Sequence, residues 1–204
     1  MKTLLCLLLC LVATGAWAQC SPIVVDTLKD GITLGPAGRT VSFDVNADGF
    51  PDTVQWVRPG GDDAFLALDR NRNGVVDNGS ELFGVGTPLF EGGNALNGFV
   101  GLAQYDQPLL GGNDDGVISR ADAIWPELML WIDVNADGIA TSEEMRRPES
   151  LGLTSFGIVP KVRRFKDAAG NSLPYWAWAG ATGRPARAVM VDVYFLQLDA
   201  GRLP

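Results

Sequence analysis

The sequence predicts an α+β fold of short β-hairpins and small helices arranged around recurrent Asp/Asn/Gly loops. Three observations predict it. Segments rich in β-branched and aromatic residues occupy both ends of the chain, as half-buried strands do. Apolar residues at helical spacing occupy the middle. Between these segments, acidic and amide side chains recur at fixed distances from a glycine.

The chain opens with Lys2, an apolar run from Leu4 to Val12 and the small-x-small pattern Ala16-Trp17-Ala18. That is the layout of an export signal, so residues 1–18 are expected to leave and Gln19 to begin the mature protein. The run is too short to span a bilayer, and no later segment is apolar and long enough to do so. Residues 19–204 then form one expected domain, secreted to the periplasm or the cell exterior. Cys6 and Cys10 leave with the signal, so Cys20 is the single mature cysteine and no internal disulfide can form.

Strands are expected at Ile23–Val25, Thr40–Phe43, Thr53–Val57 and Ala64–Leu68. Ala95 to Tyr105 carries Leu96, Phe99, Val100 and Ala103 at helical spacing, with Asn94 as the expected cap. Ser119 to Leu130 opens as a second helix that Pro126 ends or kinks, after which Leu128 to Ile132 is extended. Thr141 to Arg147 is a third short helix, stopped by Pro148. The tail returns to strands at Val159–Lys166, Tyr175–Ala179 and Val189–Leu198. The first two flank the hairpin turn Asp167-Ala168-Ala169-Gly170-Asn171.

The chain carries a net charge of −8 and no histidine. Acidity argues against nucleic acid or an anionic membrane as partner. The missing histidine excludes Ser-His-Asp and Cys-His catalysis, and it makes zinc and copper poor fits. The remaining oxygen donors suit calcium, a hard cation that takes six to eight oxygens.

The loops have the spacing such an ion needs. Side chains at positions one, three and five converge, glycine at six turns the chain, the carbonyl at seven points inward, and an acid at nine or twelve completes the shell. Asp133, Asn135, Asp137, Gly138, Ile139, Thr141 and Glu144 fit this EF-hand-like pattern through position twelve, although a shorter loop ending on Glu143 is also open. Asp44, Asn46, Asp48, Phe50 and Asp52 repeat its first nine positions between strands. Asp69, Asn71, Asn73, Val75 and Asp77 form a third loop, with Glu81 beyond it. In a fourth, Asn113, Asp115, Val117 and Asp122 match later positions. Its first position falls on Gly111, unless Asp106 supplies that ligand through an insertion. Asp26 to Ile32 reads as a decayed copy, because Leu28 and Lys29 stand where oxygen or neutrality is wanted, and no ion is expected there. Repetition with glycine always at the sixth place separates these loops from ordinary turns, which favour the same residues.

The resulting expectation is a calcium-binding structural or interaction module, stabilised by Ca²⁺ and without enzymatic activity. Glu91, Glu127 and Glu149 lie outside the loops, and no spacing pairs them for catalysis. Trp56, Trp125 and Trp131 sit among apolar neighbours as core residues do. Trp176 and Trp178 alternate on a strand and are the candidate platform for an unknown glycan or protein partner.

Four stretches together resemble the self-processing modules of RTX-type iron-regulated bacterial proteins. They are Phe43 to Gly49, Leu68 to Gly74, Asp77-Asn78-Gly79-Ser80-Glu81-Leu82-Phe83-Gly84 and Leu130 to Gly138. The resemblance spans about Ser21 to Ile158. It implies that calcium folds the module, which then cleaves an Asp-Pro bond at its own start through a cyclic anhydride formed by the aspartate side chain. Here the corresponding dipeptide is Ser21-Pro22, and no Asp-Pro occurs in the chain. Serine lacks the carboxylate that forms the anhydride, so calcium binding carries over and cleavage does not.

Overall fold

A computed structural model describes residues 21–183 and 187–198; the expected signal peptide and Cys20 lie outside the described residues. The strands are β1 (Ile23–Val25), β2 (Thr40–Phe43), β3 (Asp52–Gln55), β4 (Ala64–Leu68), β5 (Val117–Ser119), β6 (Leu128–Trp131), β7 (Met145–Arg146), β8 (Leu153–Gly157), β9 (Lys161–Val162), β10 (Ser172–Ala181) and β11 (Arg187–Tyr194). Among the described residues one short α-helix, α1 (Gly98–Ala103), accompanies them. No helix there is long and apolar enough to cross a membrane.

The architecture corrects the α+β expectation, because the protein is mostly β. An antiparallel sheet in the order β5-β8-β10-β11-β1-β4-β6-β7, with β9 against β10, curls into a half-barrel. The hairpin β2–β3 forms a separate two-stranded sheet. The helix expected from Ala95 contracts to α1, and its cap is Asn97, whose side chain accepts the Val100 N–H. The helix expected over Ser119–Leu130 is absent: Val117–Ser119 pairs with Gly157–Ser155, and a 3-10 turn at Trp125–Glu127 leads into β6. The helix expected at Thr141–Arg147 is also replaced, since Met145 and Arg146 pair with Trp131 and Leu130. Long-range pairing overrides local helical spacing at both places, as tertiary context commonly does. At the C-terminal end, Val159–Lys166 yields only β9, while the Asp167–Asn171 turn forms as expected, with the Asp167 N–H donating to the Asn171 carbonyl at 3.0 Å.

Alternation along the central strands divides the core between the two faces of the sheet. On one face Val24, Phe65, Ala67, Trp131, Val191 and Val193 pack against Val41, Phe43, Val54 and Trp56 of the hairpin segment. On the other, Ile23, Val25, Leu66, Leu130 and Met190 pack against Phe99 and Leu102 of α1. Strand β4 is therefore buried along its whole length, which explains its uninterrupted apolar sequence. Trp56 stands at the centre of the first face, with ring centroids 4.6 Å from Phe65, 5.4 Å from Phe43 and 5.8 Å from Trp131.

One buried carboxylate fastens α1 to the sheet. Asp192, opposite Ile23 in the β1–β11 register, accepts the Gly98 N–H on Oδ2 at 3.0 Å. Its Oδ1 and the hydroxyl of Ser21 are sealed from solvent without a hydrogen bond of ordinary geometry. Burial raises the Asp192 pKa from 3.8 to about 7, against the lowering influence of the Gly98 N–H and the nearby Ser21 hydroxyl. The folded state then holds a proton that the unfolded chain has lost across the range between those two values. This contribution to stability is full below the unfolded pKa and declines as pH rises through about 7. Asp192→Asn removes the titration. Thermal melts followed by circular dichroism from pH 4 to pH 8 should show the parent losing stability relative to the variant, with the gap growing across that interval.

Candidate metal loops

Each loop expected from the sequence is closed in the same way. The carboxylate at the first position accepts the backbone N–H groups of the fifth and sixth, one on each oxygen. Asp44 takes those of Asp48 at 3.1 Å and Gly49 at 2.9 Å. Asp69 takes those of Asn73 at 3.1 Å and Gly74 at 2.7 Å. Asp133 takes those of Asp137 at 3.3 Å and Gly138 at 2.9 Å. In the fourth loop Asp106, not Gly111, fills this role, accepting from Asp115 at 3.2 Å and Gly116 at 2.9 Å. The residues between Asp106 and Asn113 are taken up by a 3-10 turn at Pro108–Leu110.

The third and fifth side chains point the same way. Oδ1 of Asn46, Asn71, Asn113 and Asn135 accepts the N–H two residues on, from Asp48, Asn73, Asp115 and Asp137. Those four residues in turn accept the N–H groups of Phe50, Val75, Val117 and Ile139. The fourth residue, Ala47, Arg72, Asp114 or Ala136, has φ between 54° and 61°. A left-handed conformation costs roughly 1–2 kcal/mol for a residue with a Cβ. Its recurrence at one position means that the loop closure imposes it.

A second carboxylate braces three of the loops from the far end. Glu144 accepts the N–H of Val134 on one oxygen and of Thr141 on the other. Glu81 does the same with Arg70 and Asp77, and Asp122 with Asn113 and Ser119. All three acids are buried, whereas Glu143 is exposed, so the geometry brings Glu144 and not Glu143 to its loop. The loop at Asp44 has no acid at its twelfth position. Its twelfth residue is Gln55, which pairs with Asn171 and the Ala169 carbonyl, while Asp52 starts β3 and accepts from Gln197 at 2.6 Å.

Sequence reasoning missed how the loops are joined to the core and to one another. The indole N–H of Trp56 donates to Asp133 Oδ2 at 2.7 Å, tying a buried aromatic of the first core face to the loop at the end of β6. Burial raises the Asp133 pKa, against the lowering effect of the Gly138 N–H and the Trp56 indole. Gly79 donates its N–H to the Asp44 carbonyl at 2.7 Å, and a Cβ there would stand 1.8 Å from the Val45 carbonyl oxygen. A Cβ on Gly84 would stand 1.6 Å from the Ser21 carbonyl oxygen. The Asn78-to-Gly84 block thus has a reason at most positions. Asn78 caps a turn, Gly79 admits the Asp44 loop, Glu81 braces its own loop, Leu82 and Phe83 enter opposite cores, and Gly84 admits the N-terminal strand. Asp62 and Asp63 belong to no motif found in the sequence, yet they meet Asp26.

The two remaining tryptophan candidates lie on β10. Trp178 is 44 % exposed, with the Arg187 guanidinium 4.5 Å from its ring centroid. Trp176 is half-buried and carries Arg163 at 5.4 Å.

Fold and loops together define a β-rich module studded with oxygen-lined turns. The SPM domain model matches residues 23–195, and the chain belongs to that family. It is 36 % identical over 162 residues to the iron-regulated protein FrpA of Neisseria meningitidis serogroup C. The aligned stretch is 78 % of this chain and 14 % of that protein, so the chain corresponds to a small part of its relative. The protein is thus related to the RTX-type iron-regulated proteins.

The junction of the first two loops can be probed by adding one methyl group. Gly49 has φ 89° and open space around its Cβ position, so Gly49→Ala should cost only the roughly 1–2 kcal/mol of a left-handed residue. Gly79→Ala meets backbone and should cost more than the roughly 1–3 kcal/mol of ordinary overpacking. Urea unfolding of the two variants reads the difference.

Proposed function

We propose that this protein is a secreted calcium-binding structural or interaction module, whose folded state is stabilised by Ca²⁺, and that it does not cleave itself. The observation that carries the reading is the common geometry of the four loops. In each, oxygens of the first, third and fifth side chains accept backbone N–H groups around a left-handed fourth residue. The donor set is all oxygen, which favours a hard cation over zinc or copper. Calcium bound only by the folded state adds stability in proportion to the logarithm of its concentration. Extracellular sites of this type bind with Kd of about 10⁻⁴ to 10⁻³ M, so stability would follow calcium outside the cell.

Loss of cleavage rests on chemistry. The anhydride route implied by the family resemblance needs a carboxylate before the proline, and Ser21 supplies a hydroxyl. The dipeptide is also held in the fold. The Ser21 carbonyl accepts the Val85 N–H at 3.1 Å, and Pro22 bridges Gly84.

Calorimetry and thermal melts of the mature chain test the reading. Added calcium should give a binding heat and a higher Tm, and chelator should reverse both; an unchanged melt with no heat overturns it. Glu144→Gln should weaken the tightest binding by at least the ~10-fold that loss of a supporting group costs, while Glu143→Gln should leave it alone. Intact mass should stay constant through prolonged incubation in calcium, and a new fragment would restore the self-processing alternative.

A further inference from the structure

The turn after β1 is the one copy whose own side chains do not make a site. Leu28 and Lys29 fill its third and fourth positions. Its backbone nevertheless follows the path of the others. Asp26 accepts the N–H groups of Asp30 at 3.1 Å and Gly31 at 2.9 Å, and Lys29 has φ 68°. What the loop lacks arrives from the start of β4. The Leu28 N–H donates to Asp62 Oδ2 at 2.7 Å, and the Thr27 hydroxyl donates to the same oxygen at 3.2 Å. The third-position backbone, unable to offer an oxygen of its own, thereby holds one from 34 residues away. Antiparallel pairing of Val25 with Ala64 sets this meeting, because it puts the residues after β1 beside those before β4.

One ligand-capable oxygen from each of Asp26, Asp62 and Asp63 lies within 4.8 Å of the others. That is inside the roughly 4.6–5.2 Å separating opposite oxygens of one calcium ion, from Ca–O distances of 2.3–2.6 Å. Asp63 is 4 % exposed; its Oδ2 accepts the Thr33 N–H at 2.7 Å, and its Oδ1 is sealed from solvent with no hydrogen-bond partner. Such an oxygen is costly to bury beside other acids unless a cation or a proton meets it. Lys29 does not, since its ammonium reaches the Thr182 carbonyl at 2.8 Å.

We infer that Asp26, Asp62 and Asp63 form a further calcium site, composite between the β1 turn and the start of β4 and separate from the four contiguous loops. Its ligands are acidic side chains from two segments, so it clamps β1 to β4 at one end of the sheet. It stands apart from the loop sites, and its test separates the two.

Equilibrium dialysis of the mature chain against millimolar calcium, with metal counted by mass spectrometry, gives the number of ions per chain. Asp62→Asn and Asp63→Asn should each lower it by one, while the calcium affinity lost in Glu144→Gln, which reports the Asp133 loop, is retained in both. If Asp63→Asn fails to fold, Asp62→Asn carries the test, because Asp62 is half-exposed and bonds only loop residues. A full count in both variants overturns the site and leaves the four-loop reading standing. An unchanged count with a higher Tm for Asp63→Asn in calcium-free buffer also overturns it, because a proton then suffices. A parent chain that binds no calcium overturns both readings.

Discussion

The structure depends on one recurrent interaction, an aspartate carboxylate that accepts two consecutive backbone N–H groups, four and five residues ahead at four sites and nine and ten ahead at Asp106. A carboxylate is ionised, so these are charge-assisted bonds and stronger than neutral ones. Five such closures recur along the chain, at Asp26, Asp44, Asp69, Asp106 and Asp133. Each forces the fourth residue into a left-handed conformation. The five non-glycine residues with positive φ among those described are the five fourth residues. Strain of that kind persists only where surrounding contacts over-determine it.

The sheet explains why the loops are where they are. Three of the five closures, at Asp26, Asp69 and Asp133, follow directly from β1, β4 and β6, which are neighbours in the sheet. Strand β4 runs opposite to the other two, so the turns after β1 and β6 lie at one end and the turn after β4 at the other. The Asp44 loop reaches the Asp69 loop through Gly79, and the Asp133 loop reaches the core through Trp56. A disturbance at one loop is therefore felt by the aromatic cluster beneath it, because close-packed interiors transmit strain. None of the described residues is a cysteine, so such ties are the staples of the described fold.

Much of the candidate site was legible because its pattern is local. Asp, Asn and Gly at fixed offsets specify a turn wherever they occur, and the insertion that brings Asp106 to Asn113 was foreshadowed by the shortage of a first ligand. The choice of Glu144 over Glu143 needed the fold, since adjacent acids look alike in sequence and only one is buried. The helices expected at Ser119–Leu130 and Thr141–Arg147 show the limit. Asp122 and Glu144 fold back onto loop N–H groups, and the residues around them pair with β8 and β6. Helical spacing is a weak signal against that competition.

By itself the sequence determined most of the first-position closures, the glycine at each sixth place, the strands β1, β4, β6, β10 and β11 in outline and the absence of an aspartate before Pro22. These follow from steric and hydrogen-bonding rules acting over a few residues. Only the tertiary structure decided that the module is mostly β and that Trp56 holds Asp133. It alone brought Asp62 and Asp63 to a turn that reads as decayed. Those outcomes depend on strands far apart in the chain lying side by side, and long-range pairing is a cooperative property of the whole sheet.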